Sequence, residues 1–130
     1  MEYNISPIDN RYSAICDNLR NFVSDYGINR IRFEIEIKYL RFLLKALFNY
    51  NFDINTIINM FSLSKIKEYE RETNHDIKAI EYFIKHIVQL DYNFNSKYCE
   101  FVHFGLTSQD INSLTNTLSI KYSIEHSILP

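Results

Sequence analysis

"INRIRFEIEIKYLRFLLKALFNY" occupies residues 28–50, and the fold turns on whether it is strand or helix. Residues 30–38 alternate charged and apolar in strict succession, which is the period of a half-buried strand. Against that, the segment runs for more than twenty residues without Gly or Pro. Ile31, Ile35, Tyr39, Phe42, Leu43, Ala46 and Leu47 trace a helical face. Arg30–Glu34, Arg32–Glu36 and Glu34–Lys38 are opposite charges four residues apart, each pair contributing a few tenths of a kcal/mol to a helix. Length and charge pairing decide for a helix that is apolar on more than one side and therefore well buried.

The rest of the composition agrees. The chain has 130 residues, enough for a compact domain with a core, and 46% of them are hydrophobic. Only 2 Gly and 2 Pro are present, too few turn formers for a sheet of many hairpins, so the expected class is all-α. A formal net charge of −2 argues against a nucleic-acid binder held by a general basic field. Cys16 and Cys99 are far apart, fit no metal spacing and read as two reduced thiols. "MEYNISPIDNRY" has no apolar signal core, and no uncharged run reaches membrane length, so a soluble cytoplasmic protein is expected.

Outward from the long helix, residues 1–12 read as an irregular lead-in with a turn. "SAICDNLRNFVSDYG" follows as a helix with Ile15, Leu19, Phe22 and Val23 on one face and Gly27 as its terminator. After residue 50 come a short helix capped by Asp53 or Asn55 and another capped by Ser62 or Ser64. Ile77, Ile80, Ile84, Ile87 and Val88 put residues 75–90 in an amphipathic helix. A polar connection leads to the last helix, which begins in "TSQDIN".

Two helix starts concentrate hydrogen-bonding groups: "ETNHDIKAIE", residues 72–81, and "HFGLTSQDIN", residues 103–112. Thr73-x-x-Asp76 and Thr107-x-x-Asp110 both approximate a capping box, with Asp in place of Glu. One cap residue satisfies a helix start, yet Asn74 and His75 crowd the first and Ser108 and Gln109 the second. Gly105 permits a left-handed turn or close backbone approach, and His103 stands nearby. Free N–H groups, hydroxyls and imidazoles suit a phosphate or carboxylate. Asp76 and Asp110 would repel one, so each must cap, turn away or hold a ligand hydroxyl or amine. Ordinary caps and two walls of one binding site both remain open on these residues alone. His86 and His126 read as surface groups, and no His/Cys/Glu spacing makes a zinc site.

Taken in order, four stretches resemble the adenylosuccinate lyases of the fumarase/aspartase superfamily. They are "SPIDNRY", "DYGINRIRFEIEIKYL", "KEYERETNHDIKAIEYF" and "EFVHFGLTSQDIN", and together they span most of the chain. The resemblance implies an N-terminal portion: a small helical domain over residues 1–106, then residues 107–130 as the truncated first helix of a central bundle. It implies cleavage of adenylosuccinate to AMP and fumarate, and of the succinylated carboxamide ribotide, by β-elimination in purine biosynthesis, with no metal or organic cofactor. Arg11, Tyr12, Asn74, His75, Asp76, Thr107 and Ser108 match the family's substrate-binding positions, and His103 is a further candidate. The general acid and base are expected beyond Pro130, so the 130-residue piece alone is expected to be inactive. The family's homotetramer builds each site from three subunits; neither nucleic acid nor membrane is an expected partner. Asn10 stands where the family has Gly, in a turn where Asn best tolerates a left-handed conformation, and Gln109 replaces an acidic residue. The alternatives are another fumarate-releasing lyase of the superfamily and a non-catalytic helical interaction module.

Overall fold

The computed structural model describes residues 6–129. Every regular element among them is helical, as the scarcity of turn formers implies. A 3-10 turn at Pro7–Asp9 precedes α1 (Asp17–Val23), α2 (Asp25–Phe48), α3 (Ile54–Ile58), α4 (Leu63–Thr73), α5 (Asp76–Leu90) and α6 (Ser108–Ser123). A 3-10 stretch at Ser96–Phe101 lies between α5 and α6, and a π-helical turn at Ile124–Ile128 continues α6. No described helix is long and apolar enough to cross a membrane.

The residues that imitate a strand explain how α2 works. Residues two apart on an α-helix point about 200° apart, to nearly opposite sides. Ile31 and Ile35 therefore face one way, into a small cluster with Ile77 and Ile111. Phe33 and Ile37 face the other way, joining Leu40 and Leu44 in the main core with Ile80, Phe83, Ile84 and Val88. Phe33, Ile37, Leu40 and Leu44 are fully buried, each stabilising the fold by about 1.5–3 kcal/mol relative to exposure. Alternation here means a helix sandwiched between two clusters. The face traced through Phe42 and Leu47 is corrected in its second half: Phe42 is 69% and Leu47 54% exposed, while Leu40 and Leu44 go inside.

The charged residues between them divide as well. Arg30–Glu34 (2.8 Å) and Lys38–Glu34 (3.6 Å) form along the helix surface. Arg32–Glu36 does not, because both side chains are taken by other elements: Arg32 by Asp76 and Asn112, and Glu36 by His103.

Local signals set the helix ends, with three corrections. Gly27 terminates nothing: α1 ends at Ser24, whose hydroxyl caps α2 by accepting from the Gly27 N–H (3.1 Å). A Cβ at Gly27 would lie 2.4 Å from the Asn21 carbonyl oxygen, so glycine is required by the close approach of α1 to α2. Asp53 and Ser62 are the caps of α3 and α4. Thr73 caps nothing at its C-terminal side; it is the last residue of α4, its hydroxyl contacting the Tyr69 carbonyl at 2.9 Å. The left-handed asparagines are Asn49 and Asn74, which end α2 and α4, rather than Asn10.

Candidate functional site

The first crowded stretch separates into three jobs. Asn74 (φ 51°) is the left-handed C-cap of α4. His75 is the N-cap of α5, its Nδ1 accepting from the Lys78 N–H at 3.1 Å. That Nδ1 carries no proton while it accepts, so the neutral ring keeps its proton on Nε2. Asp76 opens α5; its Oδ1 accepts from the Ile77 N–H, and its Oδ2 pairs with Arg32 at 2.9 Å.

The second stretch is a full capping box. The Thr107 N–H and hydroxyl both donate to Asp110 Oδ2, at 2.7 and 2.9 Å, and Thr107 Oγ1 accepts from the Asp110 N–H at 3.4 Å. These bonds hold the Asp110 carboxyl below its usual range, the Thr107 backbone contributing most. Asp110 is thus spent on the cap. The amides of Ser108 and Gln109, in the first turn, have no carbonyl one turn back to serve.

α2 brings the two starts together. Arg32 Nη2 donates to Asn112 Oδ1 of α6 at 3.0 Å and reaches Asp76 of α5 at 2.9 Å, so one nitrogen staples both. One turn along, Glu36 binds the Nδ1 of His103 at 2.5 Å. The bond to Glu36 raises the His103 pKa above the ordinary imidazole value, against an opposing effect of burial; Glu81 and Asp110 raise it further. His103 sits at φ 59° and Gly105 at φ 74°, and the Tyr39 hydroxyl donates to the Phe104 carbonyl between them at 2.8 Å. The approach to α6 is thus a left-handed loop pinned to α2 from both sides.

The result is a hollow of about 310 Å³ between the two helix starts. His75, Ile77, Lys78 and Glu81 of α5 form one wall; His103, Leu106, Thr107 and Ser108 form the other. Two imidazoles, an ammonium, two hydroxyls and a helix N-terminus face a space with a single carboxylate in its lining. That combination suits an anion. Asn74 and Asp76 border this wall in sequence but do not line the hollow. Arg11 and Tyr12 do not line it either: they lie in an exposed turn, with the Arg11 guanidinium 5.3 Å from the Tyr12 ring centroid. Sequence reasoning passed over Arg32, Glu36, Lys78 and Glu81. The one available signal was the charged residues embedded in a buried helix. No group of His, Cys, Asp and Glu able to hold a metal ion is found among the described residues.

An all-helical unit of this kind is consistent with the helical domain of the lyase superfamily. No protein-family model matches the sequence. Against curated proteins the chain is 40% identical to adenylosuccinate lyase of Dictyostelium discoideum and 39% identical to that of Buchnera aphidicola from Acyrthosiphon pisum. It is 36% identical to adenylosuccinate lyase of Escherichia coli K12. Each match covers 97% of this chain and 30% of the relative, so the chain spans about a third of the length of the relatives it matches. It belongs to the adenylosuccinate lyase family and corresponds to its N-terminal portion.

Proposed function

We propose that this chain supplies substrate contacts for an adenylosuccinate lyase reaction, and that the hollow between α5 and α6 receives an anionic group of the substrate. Adenylosuccinate carries a phosphate and two carboxylates. In the β-elimination a base takes a proton from the carbon beside a carboxylate, that electron pair forms the double bond of fumarate, and the C–N bond breaks. The departing nitrogen of AMP takes a proton from an acid. The succinylated carboxamide ribotide would react in the same way, and both steps belong to purine biosynthesis.

The observation that carries this reading is the convergence of His75 and Ser108 on one hollow, from stretches more than thirty residues apart. Thr107 is committed to its own capping box, so Ser108, the free first-turn amides of α6, Lys78, His75 through Nε2 and His103 are the groups left to meet an anion. Asn74 and Asp76 fix the wall on which His75 stands, and Arg11 and Tyr12 serve a substrate group outside this hollow, in a site completed by other copies of a homotetramer. Residues 1–106 form the small domain and 107–130 begin the bundle helix; residues 1–5 and Pro130 lie outside the described residues. The α6 region exposes Leu114 and Ile120, as a bundle helix without its neighbours would. The general acid and base come from elsewhere in the enzyme, which acts in the cytoplasm without a cofactor.

Titration of AMP, fumarate and adenylosuccinate into the 15N-labelled chain tests this. Shifts are expected at the amides of Lys78, Ser108 and Gln109. His75→Ala and Ser108→Ala are each expected to weaken binding about tenfold, or about 1.4 kcal/mol. Wild-type affinity in both variants would reduce the two starts to ordinary caps.

A further inference from the structure

Glu36 is an expensive residue where it stands. Its side chain is 0% exposed, and its Oε2 is buried with no hydrogen-bond partner among the described residues. A buried carboxylate carries a desolvation cost that an apolar residue at this position would avoid. Its sequence neighbour of opposite charge, Arg32, is turned to Asp76 and Asn112. What Glu36 does hold is the Nδ1 of His103, at 2.5 Å. The backbone accepts a second cost in the same place: His103 is left-handed at φ 59°, a conformation disfavoured for a non-glycine residue.

We propose that Glu36 is a positioning residue for the hollow: buried behind it, Glu36 fixes the His103 ring and supplies its counter-charge, so that the ring offers a charged N–H to an anion held beside Ser108. The inference rests on the hollow being an anion site. With Nδ1–H donated to Glu36, the imidazolium keeps Nε2–H for a ligand. The charged groups around His103 are Glu36 from α2, Glu81 from α5 and Asp110 from α6, with His75 and Lys78 on the facing wall. All three carboxylates favour the charged ring; Glu36 does so most, through a direct bond. A hollow lined by Glu81 would repel an anion unless positive charge offset it, and a cationic His103 adds that charge to the Lys78 ammonium.

Two measurements on the 15N-labelled chain test the proposal. Two-bond 1H–15N correlations of the imidazoles, followed from pH 5.5 to 9, report the proton on each ring nitrogen. His103 is expected to keep its second proton to higher pH than an ordinary imidazole, with a midpoint above the ordinary value of about 6.5, and Glu36→Gln to lower that midpoint. Sulfate, whose charge is constant over this range, is then titrated against the Ser108 amide. Glu36→Gln is expected to bind about fivefold to tenfold more weakly at a pH between the two His103 midpoints, the difference between a charged and a neutral donor, and to recover wild-type affinity at pH 5.5. A structural role alone would not give that recovery. If Glu36→Gln does not fold, Glu36→Asp and the wild-type titration decide. A wild-type His103 midpoint below about 6.5, or one that the substitution leaves unmoved, overturns the proposal. Wild type that binds no sulfate at any pH, with the His103 midpoint still raised, overturns the anion-site reading instead.

Discussion

Arg32→Met tests whether the Arg32 staple matters more for the site than for stability. The guanidinium side chain is 15% exposed and is shared between Asp76 at 2.9 Å and Asn112 at 3.0 Å. A hydrogen bond to a charged group contributes about 1.5–3 kcal/mol. Asp76 is 44% exposed and rehydrates when its partner goes, so its share falls to about 0.5–1 kcal/mol. Asn112 is neutral and half-buried, and losing its donor costs about 1 kcal/mol. Against these, Arg32 Nε is buried without a partner, and an apolar side chain of similar length removes that cost, about 1 kcal/mol. The net expectation is a loss of only about 1 kcal/mol in urea unfolding followed by circular dichroism. The two helix starts, however, lose the bond that spans them. Hydrogen-exchange protection at Ile77 and Asn112 is expected to fall, and AMP binding to weaken about tenfold, or about 1.4 kcal/mol. A stability loss above about 3 kcal/mol would mean that the ion pair behaves as a fully buried one. A small loss with unchanged AMP affinity would mean that Arg32 does not organise the hollow.

Five other outcomes follow from the same geometry. His103→Asn keeps a residue that tolerates φ 59° but strands the buried Glu36 charge, so it is expected to cost about 3 kcal/mol, with Glu36→Leu/His103→Asn less destabilised than His103→Asn alone. Because the folded pKa of His103 is raised, its contribution is fully present below about pH 6.5 and is lost as pH rises through the folded value; urea midpoints from pH 6 to 9 should drop in wild type and be flatter in His103→Asn. Gly27→Ala, which in an ordinary helix would stabilise, is expected to destabilise by about 1–2 kcal/mol, because the new Cβ meets Asn21 backbone; a raised melting temperature would contradict the close α1–α2 approach. Thr107→Ala is expected to cost about 1 kcal/mol by opening the capping box, measured by urea titration. Cys99 is buried and its thiol pKa is raised chiefly by that burial, so a thiol reagent at pH 8 should label half-buried Cys16 first; equal rates would contradict the burial.

The sequence by itself determined the class and the approximate places of its main helices. Scarcity of Gly and Pro, the isoleucine spacing of α5 and the cap at Thr107 are local or compositional, and local rules suffice to read them; the same rules narrowed the caps of α3 and α4 to two residues each, of which the structure uses Asp53 and Ser62. The crowding at residues 74–76 and 107–108 was likewise legible as a concentration of donors. Only the tertiary structure decided what each donor does. Asn74 ends one helix, His75 begins the next and Asp76 is held by Arg32, because caps on adjoining helices compete for the same residues. The faces of α2 were also undecided along the chain. Alternation at residues 31–37 fits two opposite helical sides as well as a strand, and the clusters around Ile77 and Phe83 select which residues are buried. Arg32 and Glu36 looked like surface partners at i,i+4 spacing. They became the supports of the hollow because α5 and α6 bring Asp76, Asn112 and His103 within reach, and bonds across the fold in a drier setting win over a solvent-screened pair along one helix.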